Sequence, residues 1–278
     1  MGEKEIIRID FVDFWRALDK RDNYFYNLLE DKFRVEILSD AEYLFFSVFG
    51  DRHRNRVGKK IFYTGENIPP CMDYCDWAFS FDFLDHPRHY RLPHYLLYDG
   101  YYELTNSKKV DESLAEREFC NVVVSNGNCK RRNKFIEELF RYKEFDSGGA
   151  WNNNIGYVVT DKRKFQSRYK FSIAFENDSY RPEHPGYTTE KIMDPMTVNS
   201  VPIYWGNPAI WVDFNPKSFV NCYDFKSDKE VIDYIIYLDQ NDDKYLELLG
   251  QPWLVDNKIP ENNKIENIKS FLYGIFVQ

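Results

Sequence analysis

The sequence lacks the features that mark several large classes of protein. Its first ten residues, MGEKEIIRID, contain no apolar core of the kind that a signal peptide needs. No apolar run approaches the roughly 20 residues that are needed to span a bilayer. Basic residues are outnumbered, because 37 Lys and Arg face 45 Asp and Glu and leave a formal net charge of -8. We therefore expect a cytoplasmic protein with no nucleic-acid partner, since a duplex binder normally presents a basic face.

Cysteine is also scarce, and its pattern argues against both disulfides and zinc. The five cysteines form an odd, scattered set in 278 residues, which indicates reduced thiols in a cytosol. Cys71 and Cys75 form one C-x3-C pair, but no second pair lies at metal-ligand spacing. We predict no metal site.

Several common motifs of nucleotide and hydrolytic sites are absent. The chain contains neither the G-x-x-x-x-G-K-[ST] phosphate loop nor the G-x-G-x-x-G dinucleotide fingerprint. It also lacks H-E-x-x-H and G-x-S-x-G. The D-x-D triplet, with which many sugar transferases hold a divalent metal against a nucleotide diphosphate, is missing as well. If the protein binds such a diphosphate, we expect side-chain cations and helix ends to neutralise it.

What the sequence does contain is an alternation of strand-like and helix-like segments. Apolar residues at helical spacing predict helices near residues 131–142, 227–239 and 265–275. Short apolar runs predict strands at residues 6–14, 33–38, 43–49, 60–64, 77–83, 121–125, 170–175 and 201–205. This alternation predicts an α/β fold with parallel sheets that are covered by helices on both faces. A polar stretch at residues 106–118 is the candidate linker between domains 1-115 and 116-278.

The stretch GYTTEKIMDP, residues 186–195, carries an acid beside a base. We interpret it as a loop that enters a helix, where threonine caps free N–H groups and the helix dipole favours an anion. Lys191 in a first helical turn is unfavourable unless an anion compensates, a conflict that is expected at functional sites. Glu190 can accept hydrogen bonds from sugar hydroxyls, although an ordinary amphipathic helix with solvated charges is the alternative. Pro195 should end a short segment near Asp194 or kink the helix, because a proline within a helix costs roughly 3 kcal/mol or more.

Two further polar clusters follow predicted strands. Asn177 follows the strand at residues 170–175, and ligands of open parallel sheets gather at the carboxyl ends of strands. We therefore expect Asn177 and residues 187–191 to face the same crevice. The strand at residues 121–125 ends at Ser125, and the next helix starts with three basic residues that include Arg132. One or two of them can reach a diphosphate, though a solvated basic turn is the simpler interpretation of this segment alone.

These residues lie in a sequence that resembles the α-1,3/4-fucosyltransferases of glycosyltransferase family ten, especially the bacterial Lewis-antigen-type members. The resemblance is carried by FENDSYRPEHPGYTTEKIMD followed by VPIYWGNP. Further matching stretches follow the family order: IFYTGEN, FDFLDHPRHYRLP, SNGNCKRRNKF, SGGAWNNNIGY and DFNPKSFVNCYDF. Together they cover about residues 60–238.

The resemblance implies a GT-B fold, in which two Rossmann-like domains face each other across a cleft. The N-terminal domain would bind the acceptor and the C-terminal domain the donor GDP-β-L-fucose, with a terminal helix docking back. Glu190 would contact the ribose hydroxyls, Lys191 the diphosphate and Arg132 a second phosphate position. The donor site would also include Ser125, Asn177 and Tyr187. No cofactor and no metal ion would be required beyond the donor substrate.

Glu66, in the YTGEN segment, is the general base that the resemblance implies. An acceptor hydroxyl would attack C1 of fucose while GDP leaves, so that the anomeric carbon is inverted. One carboxylate suffices, because a diphosphate leaving group needs cations rather than a general acid. The acceptor would be a glycan such as N-acetyllactosamine, fucosylated at O3 of GlcNAc or Glc.

The sequence departs from the family at several places, most clearly at Pro195, and leaves other functions open. The loop at residues 178–185 is longer and adds Arg181 and His184. The basic amphipathic tail of some bacterial members is missing from this sequence. The resemblance implies peripheral association with the inner face of a bacterial membrane through such a tail. One alternative is a GT-B transferase that uses another GDP-sugar. Another is an inactive sugar-binding relative, which would have no need of all four residues Glu66, Arg132, Glu190 and Lys191.

Overall fold

The computed structural model describes residues 3–177 and 185–277. Arg181 and His184, with most of the longer loop predicted above, lie outside these residues. The chain forms two compact units, one of Met1–Leu97 with Pro260–Gln278 and the other of Tyr98–Ile259. Each unit contains one parallel β-sheet, so the predicted α/β fold with parallel sheets is confirmed.

The first unit contains a six-stranded sheet in the order β2-β1-β3-β4-β5-β6. Its strands are β1 (Ile6–Val12), β2 (Arg34–Ile37), β3 (Tyr43–Phe46), β4 (Lys59–Tyr63), β5 (Trp77–Ser80) and β6 (His89–Arg91), and every adjacent pair is parallel. Helices α1 (Tyr24–Lys32) and α8 (Ile265–Gly274) also belong to this unit. Helix α1 begins where the Asn23 side chain accepts a hydrogen bond from Tyr26 N, as expected of an N-cap.

Aromatic packing fixes these helices on the sheet. Phe25 of α1 contacts the rings of Phe45, Tyr63 and Phe79, with ring centroids 5.1, 5.2 and 5.1 Å away. Phe271 of α8 meets Phe79 edge-on at 5.3 Å. Three strands therefore share one aromatic core, which holds their carboxyl ends in fixed positions.

The second unit contains a five-stranded sheet in the order β11-β10-β9-β7-β8, again parallel throughout. Its strands are β7 (Glu118–Val122), β8 (Asp146–Ser147), β9 (Tyr169–Phe175), β10 (Val201–Trp205) and β11 (Val220–Asn221). Its helices are α2 (Gly100–Glu103), α3 (Lys130–Phe140), α4 (Lys162–Gln166), α5 (Met193–Thr197), α6 (Asp228–Asp239) and α7 (Asp242–Leu249). All seven residues of β9 are buried, as is usual for a central strand covered on both faces.

Residues 106–118 lie inside the second unit, so they do not form the linker that their polarity predicts. Lys108 Nζ donates hydrogen bonds to the carbonyl oxygens of Leu249, at 2.8 Å, and of Gln251. The same ammonium lies 3.0 Å from the ring centroid of Trp253. The prediction was wrong because this polar side chain binds buried backbone carbonyls and an aromatic face instead of water.

The boundary between the units consequently lies earlier than predicted. The chain passes from one unit to the other between Leu97 and Tyr98, whereas the sequence suggested domains 1-115 and 116-278. The last helix, α8, belongs to the first unit. The Tyr273 hydroxyl of α8 donates a hydrogen bond to Leu28 O of α1 at 2.9 Å, which ties the chain's last helix to its first.

Two further sequence expectations concern the membrane and the cysteines. Within residues 3–177 and 185–277, no helix is long and apolar enough to cross a membrane. All five cysteines are free thiols; Cys71 is exposed, and the four buried ones are Cys75, Cys120, Cys129 and Cys222.

Candidate active site

The polar residues predicted to bind a nucleotide follow the strands of the second sheet. Strands β9 and β10 are parallel with Phe175 opposite Trp205, so both end at the same edge. Glu176 and Asn177 come directly after β9, and Asn207 lies two residues after β10. Glu176 N donates a hydrogen bond to Trp205 O at 2.8 Å, which extends the pairing to the end of the sheet. Because open parallel sheets bind ligands at this edge, it is the candidate donor site.

Glu176 lies at the centre of this edge, although sequence reasoning gave it no role. Its side chain is fully buried. One carboxylate oxygen accepts hydrogen bonds from Thr189 N and Oγ1 at 2.7 and 3.0 Å, and the other lies 3.0 Å from Lys191 Nζ. A buried carboxylate must be paired or hydrogen-bonded, so Glu176 fixes Thr189 and Lys191 to the end of β9. The sequence carried one signal for this role, an acid placed directly after a fully apolar strand end.

Lys191 does not lie in the first turn of a helix. Helix α5 begins at Met193, and its N-cap Ile192 offers no side-chain hydrogen bond. The threonines do not cap α5: Thr188 Oγ1 donates to Gly186 O at 3.0 Å, and Thr189 Oγ1 donates to Glu176 and accepts a long hydrogen bond from Lys191 N at 3.4 Å, before the helix begins. The predicted cap and helix-dipole site is therefore wrong, since the helix has only five residues and starts after the lysine. The carboxylate of Glu176 supplies the anion that compensates Lys191.

Pro195 is the third residue of α5 and lies in its first turn. The first N–H groups of a helix have no partner within it, so a proline there removes no hydrogen bond of the helix interior. Its carbonyl oxygen accepts hydrogen bonds from Val198 N at 3.2 Å and Ser200 N at 2.9 Å. Helix α5 continues through Pro195 to Thr197, so the predicted end near Asp194 was wrong, and the kink stays a prediction.

The structure brings Arg132 and Asn177 together. Arg132 is in the first turn of α3 and is fully buried. Its Nη1 donates to Asn177 Oδ1 at 2.8 Å, and its Nη2 donates to the carbonyl oxygen of Asn126. Its Nε has no hydrogen-bond partner among the residues that the structure describes. Burial lowers the pKa of Arg132, which the nearby Glu176 only partly offsets.

Glu190 is held by a lysine that the sequence did not single out. Lys162 Nζ lies 3.0 Å from Glu190 Oε1 and 3.0 Å from Asp194 Oδ2. Burial alone would lower the pKa of Lys162, but Glu190 and Asp194 raise it above its usual range. Arg163 also approaches Asp194, with its Nε 3.6 Å from Oδ1. The lysine therefore stays charged and restrains the Glu190 carboxylate.

The remaining donor-site candidates occupy less enclosed positions. Ser125 is exposed beyond the end of β7, and Tyr187 is partly buried in the loop before α5. Arg131 pairs with Asp228 Oδ1 at 2.7 Å and lies over the Trp205 ring at 4.8 Å. Of the basic residues at the start of α3, Arg131 thus joins α3 to α6, and Arg132 points toward Asn177.

Glu66 belongs to the first unit. It is exposed three residues after the end of β4. Its backbone N–H donates to Thr64 Oγ1 at 3.1 Å, and its carbonyl accepts a hydrogen bond from Ile68 N at 2.7 Å. These two bonds form a tight turn just beyond the carboxyl end of β4, and the Glu66 side chain is exposed there.

No group of three or more His, Cys, Asp or Glu side chains is placed to hold a metal ion in the described ranges, residues 3–177 and 185–277. Cationic side chains around the ends of β9 and β10 and the segment after β9 include Arg131, Arg132, Lys162 and Lys191. The arrangement can bind an anion by charge and a polyhydroxylated ligand by its carboxylates.

Comparison with known proteins places this geometry in a family. Residues 9–98 match the model of the alpha-(1,3)-fucosyltransferase FucT N-terminal domain. Residues 112–269 match the model of the glycosyltransferase family 10 (fucosyltransferase) C-terminal domain. The alpha-(1,3)-fucosyltransferase FucT of Helicobacter pylori is 37% identical over 227 residues, which cover 69% of this chain and 46% of that protein. This chain therefore spans less than half the length of that relative.

Solved structures agree with this result over nearly the whole chain. A crystal structure of an alpha1,3-fucosyltransferase is similar with a TM-score of 0.86 and 29% identity, covering 99% of this chain and 91% of that chain. A crystal structure of an alpha1,3-fucosyltransferase with GDP-fucose is similar with a TM-score of 0.85 and 28% identity, and the match covers 100% of this chain and 92% of that chain. Two parallel-sheet α/β units with these neighbours fit the predicted GT-B fold class, which is confirmed. From the family match to residues 112–269, more than half of its length, the chain belongs to glycosyltransferase family 10, the fucosyltransferases.

Proposed function

We propose that this protein is an inverting α-1,3-fucosyltransferase that uses GDP-β-L-fucose as its donor. The observation that carries the proposal is the edge of the second sheet, where the buried Arg132 and the half-buried Lys191 lie among strand ends. Arg132 has an unpaired Nε and forms no ion pair with any described residue, so its charge calls for an anionic ligand. Membership of the family, and the GDP-fucose in one related crystal structure, support the choice of that anion.

The proposed donor contacts follow from the charge of each side chain. Lys191 and Arg132 would bind the diphosphate, whose negative charge grows as the bond to fucose breaks. Glu190, restrained by Lys162, would accept hydrogen bonds from the ribose hydroxyls. Asn177, Tyr187 and Ser125 would complete the donor site around them.

The proposed reaction needs one base. The acceptor oxygen forms a bond to C1 of fucose while the bond from C1 to the diphosphate oxygen breaks, and its electron pair leaves with GDP. Glu66 would take the proton of the attacking hydroxyl, since its carboxylate is exposed at the edge of the first sheet. We propose O3 of GlcNAc or Glc, in a glycan such as N-acetyllactosamine, as the attacking hydroxyl.

The proposal includes no metal ion and no cofactor. It is supported by the lack of a D-x-D triplet and by two cationic side chains that can neutralise the leaving group. The proposed compartment is the cytoplasm, which the five free thiols favour.

A panel of donors with an N-acetyllactosamine acceptor tests this function. Transfer from GDP-fucose with formation of an α-linked product is the expected result, identified by NMR of the new anomeric proton. Transfer from GDP-mannose but not from GDP-fucose would instead support the alternative transferase. GDP binding without transfer from any donor would support an inactive sugar-binding relative.

A further inference from the structure

The first unit carries a cavity that the proposed reaction has not used. It lies at the carboxyl ends of β1 and β3, between the loops that follow these strands, and measures about 780 Å³. Its lining includes the aromatic side chains Phe14, Trp15 and Phe49 and the basic side chains Arg16 and Arg52. Small-molecule sites in proteins have volumes of roughly 300–1,000 Å³, so this cavity is large enough for a ligand of several rings.

Asp13 joins the two loops that form the cavity. Its buried carboxylate accepts hydrogen bonds from Arg52 N at 3.1 Å and His53 N at 2.9 Å, and lies 2.7 Å from His53 Nδ1. Its carbonyl oxygen accepts a hydrogen bond from Phe49 N at 2.9 Å. A Cβ on Gly50 would lie 2.5 Å from Asp13 Oδ1, so only glycine allows this approach. The loop after β3 is therefore fixed to the end of β1.

The backbone of Asp13 is held in an uncommon conformation by these bonds. Its φ is 58°, in the left-handed region that a residue other than glycine rarely adopts. The surroundings of Asp13 fix this conformation, and residues held in it tend to occur at ligand sites. A second buried carboxylate, Asp10, supports the same wall, with Lys20 Nζ at 2.6 Å and Arg56 Nη1 at 3.0 Å. These bonds connect the walls of the cavity to one another in the free protein.

The exposed rings of the cavity indicate what kind of ligand it takes. Trp15 is 38% exposed and Phe49 is 50% exposed, although both lie beside a core that buries most other aromatic side chains. Exposed aromatic faces next to Arg16 and Arg52 suit a molecule that combines apolar faces with many hydrogen-bonding groups. Pyranose rings have this combination, because their C–H faces stack on aromatic rings and their hydroxyls accept hydrogen bonds from guanidinium groups.

The cavity lies beside the proposed base in the same sheet. Val12 at the end of β1 pairs with Phe46 of β3, which pairs with Phe62 of β4. Glu66 follows β4. Since neighbouring strands are about 4.8 Å apart, the end of β1 lies about 10 Å across the sheet from the end of β4. A glycan whose reacting hydroxyl is at Glu66 could therefore extend over β3 toward the cavity.

We infer that this cavity binds sugar residues of the acceptor beyond the one that receives fucose, with Trp15 as the stacking surface. The inference rests on the proposed fucosyl transfer and adds a preference to it: the enzyme uses oligosaccharides longer than a disaccharide more efficiently. The gain appears in KM, because the extra sugars bind equally in the ground state and the transition state.

Steady-state kinetics with two acceptors test the inference. One is N-acetyllactosamine, and the other is a tetrasaccharide of two N-acetyllactosamine units. The native enzyme should have the lower KM for the tetrasaccharide. Trp15→Ala should raise that KM roughly tenfold, which corresponds to about 1.4 kcal/mol, and should leave kcat and the disaccharide kinetics within about twofold. Trp15→Phe, which keeps an aromatic face, should raise the KM for the tetrasaccharide by a smaller factor.

The matched control is Trp211→Ala, which removes an indole that is 62% exposed in the second unit. It should change neither acceptor's KM. Equal KM values of the native enzyme for both acceptors would overturn the inference, as would a Trp15→Ala variant that affects both equally. Calorimetry of the tetrasaccharide without donor, native against Trp15→Ala, separates this inference from the proposed function. Loss of binding in the variant would support the cavity even if no fucose were transferred, and equal affinity of the two proteins would overturn it.

Discussion

Lys191 Nζ lies 3.0 Å from Glu176 Oε2, so the lysine proposed to bind the diphosphate is already paired in the free protein. Glu176 cannot follow Lys191 toward a ligand, because it is also bound to the backbone N–H of Thr189. The pair therefore restrains the ammonium at the edge of the sheet. A diphosphate that approaches this edge meets a cation whose position is set in advance.

Removal of the Lys191 charge should weaken nucleotide binding. We expect Lys191→Ala to raise the Kd of GDP at least about tenfold, since charge-assisted contacts to phosphate are among the stronger hydrogen bonds. Calorimetric titration with GDP measures the change. Lys229→Ala, which removes an exposed lysine of α6, is the control and should leave the Kd unchanged. Unchanged affinity in Lys191→Ala would remove this residue from the diphosphate site.

Lys162 should act on the ribose through Glu190. Lys162→Met keeps much of the side-chain volume but removes the charge that restrains Glu190, so we expect the Kd of GDP to rise about threefold to tenfold. Binding of 2′,3′-dideoxy-GDP, which lacks the hydroxyls that Glu190 would bind, separates a role of Lys162 in positioning Glu190 from a purely structural role. Its affinity should be nearly the same for the native protein and the variant. An equal loss for both nucleotides would mean that Lys162 only supports the fold.

Glu66 should be needed for chemistry and not for donor binding. Glu66→Gln keeps the shape of the side chain but cannot accept a proton, so we expect transfer to fall by about 10²-fold or more. The Kd of GDP should not change. Quenched-flow single turnovers report the chemical step, and calorimetry reports binding. Near-native turnover of the variant would rule out this residue as the base.

Pro195 should contribute a little to stability, contrary to its expected cost in a helix interior. In the first turn its ring restricts the unfolded chain without breaking a helical hydrogen bond. Pro195→Ala should therefore lower the free energy of unfolding by about 0.4–1 kcal/mol, measured by urea denaturation. A variant stabilised by roughly 3 kcal/mol would show that the proline does strain the helix.

Fucosyl transfer should not depend on a divalent metal ion. Arg132 and Lys191 are proposed to neutralise the leaving diphosphate, so we expect the initial rate to survive incubation with excess EDTA followed by gel filtration. Added Mg²⁺ or Mn²⁺ should then change the rate by less than about twofold. A chelated enzyme that is inactive and recovers with Mn²⁺ would contradict the metal-free mechanism.

The sequence predicted the fold well and the local structure of the site less well. Continuous apolar runs such as β9 and β10 predicted the buried strands, because burial on two faces leaves a clear pattern. The linker was wrong because Lys108 looks like any solvated lysine until its carbonyl partners, more than 140 residues away in the chain, are known. Glu176 and Lys162 were missed because each acts by pairing with a predicted site residue, and the sequence does not show which side chains meet.

The family resemblance identified part of the site more definitely than the local sequence pattern did. It named Arg132, Asn177, Glu190 and Lys191, and the structure brings Arg132 to Asn177 by a direct hydrogen bond. It did not indicate which groups hold these side chains in place. The roles of the buried carboxylates of Glu176 and Asp13 are recognised only when the hydrogen-bond donors around them are known.

The distribution of the thiols offers a route to observing the acceptor side directly. Cys71 is exposed, while the other four cysteines are buried. It lines a second cavity of about 630 Å³, with Ser47 and His53, next to the one that contains Trp15. A maleimide fluorophore would therefore attach at a single position of the native protein, without any substitution. Its emission would report the arrival of a glycan at this edge of the first sheet in real time.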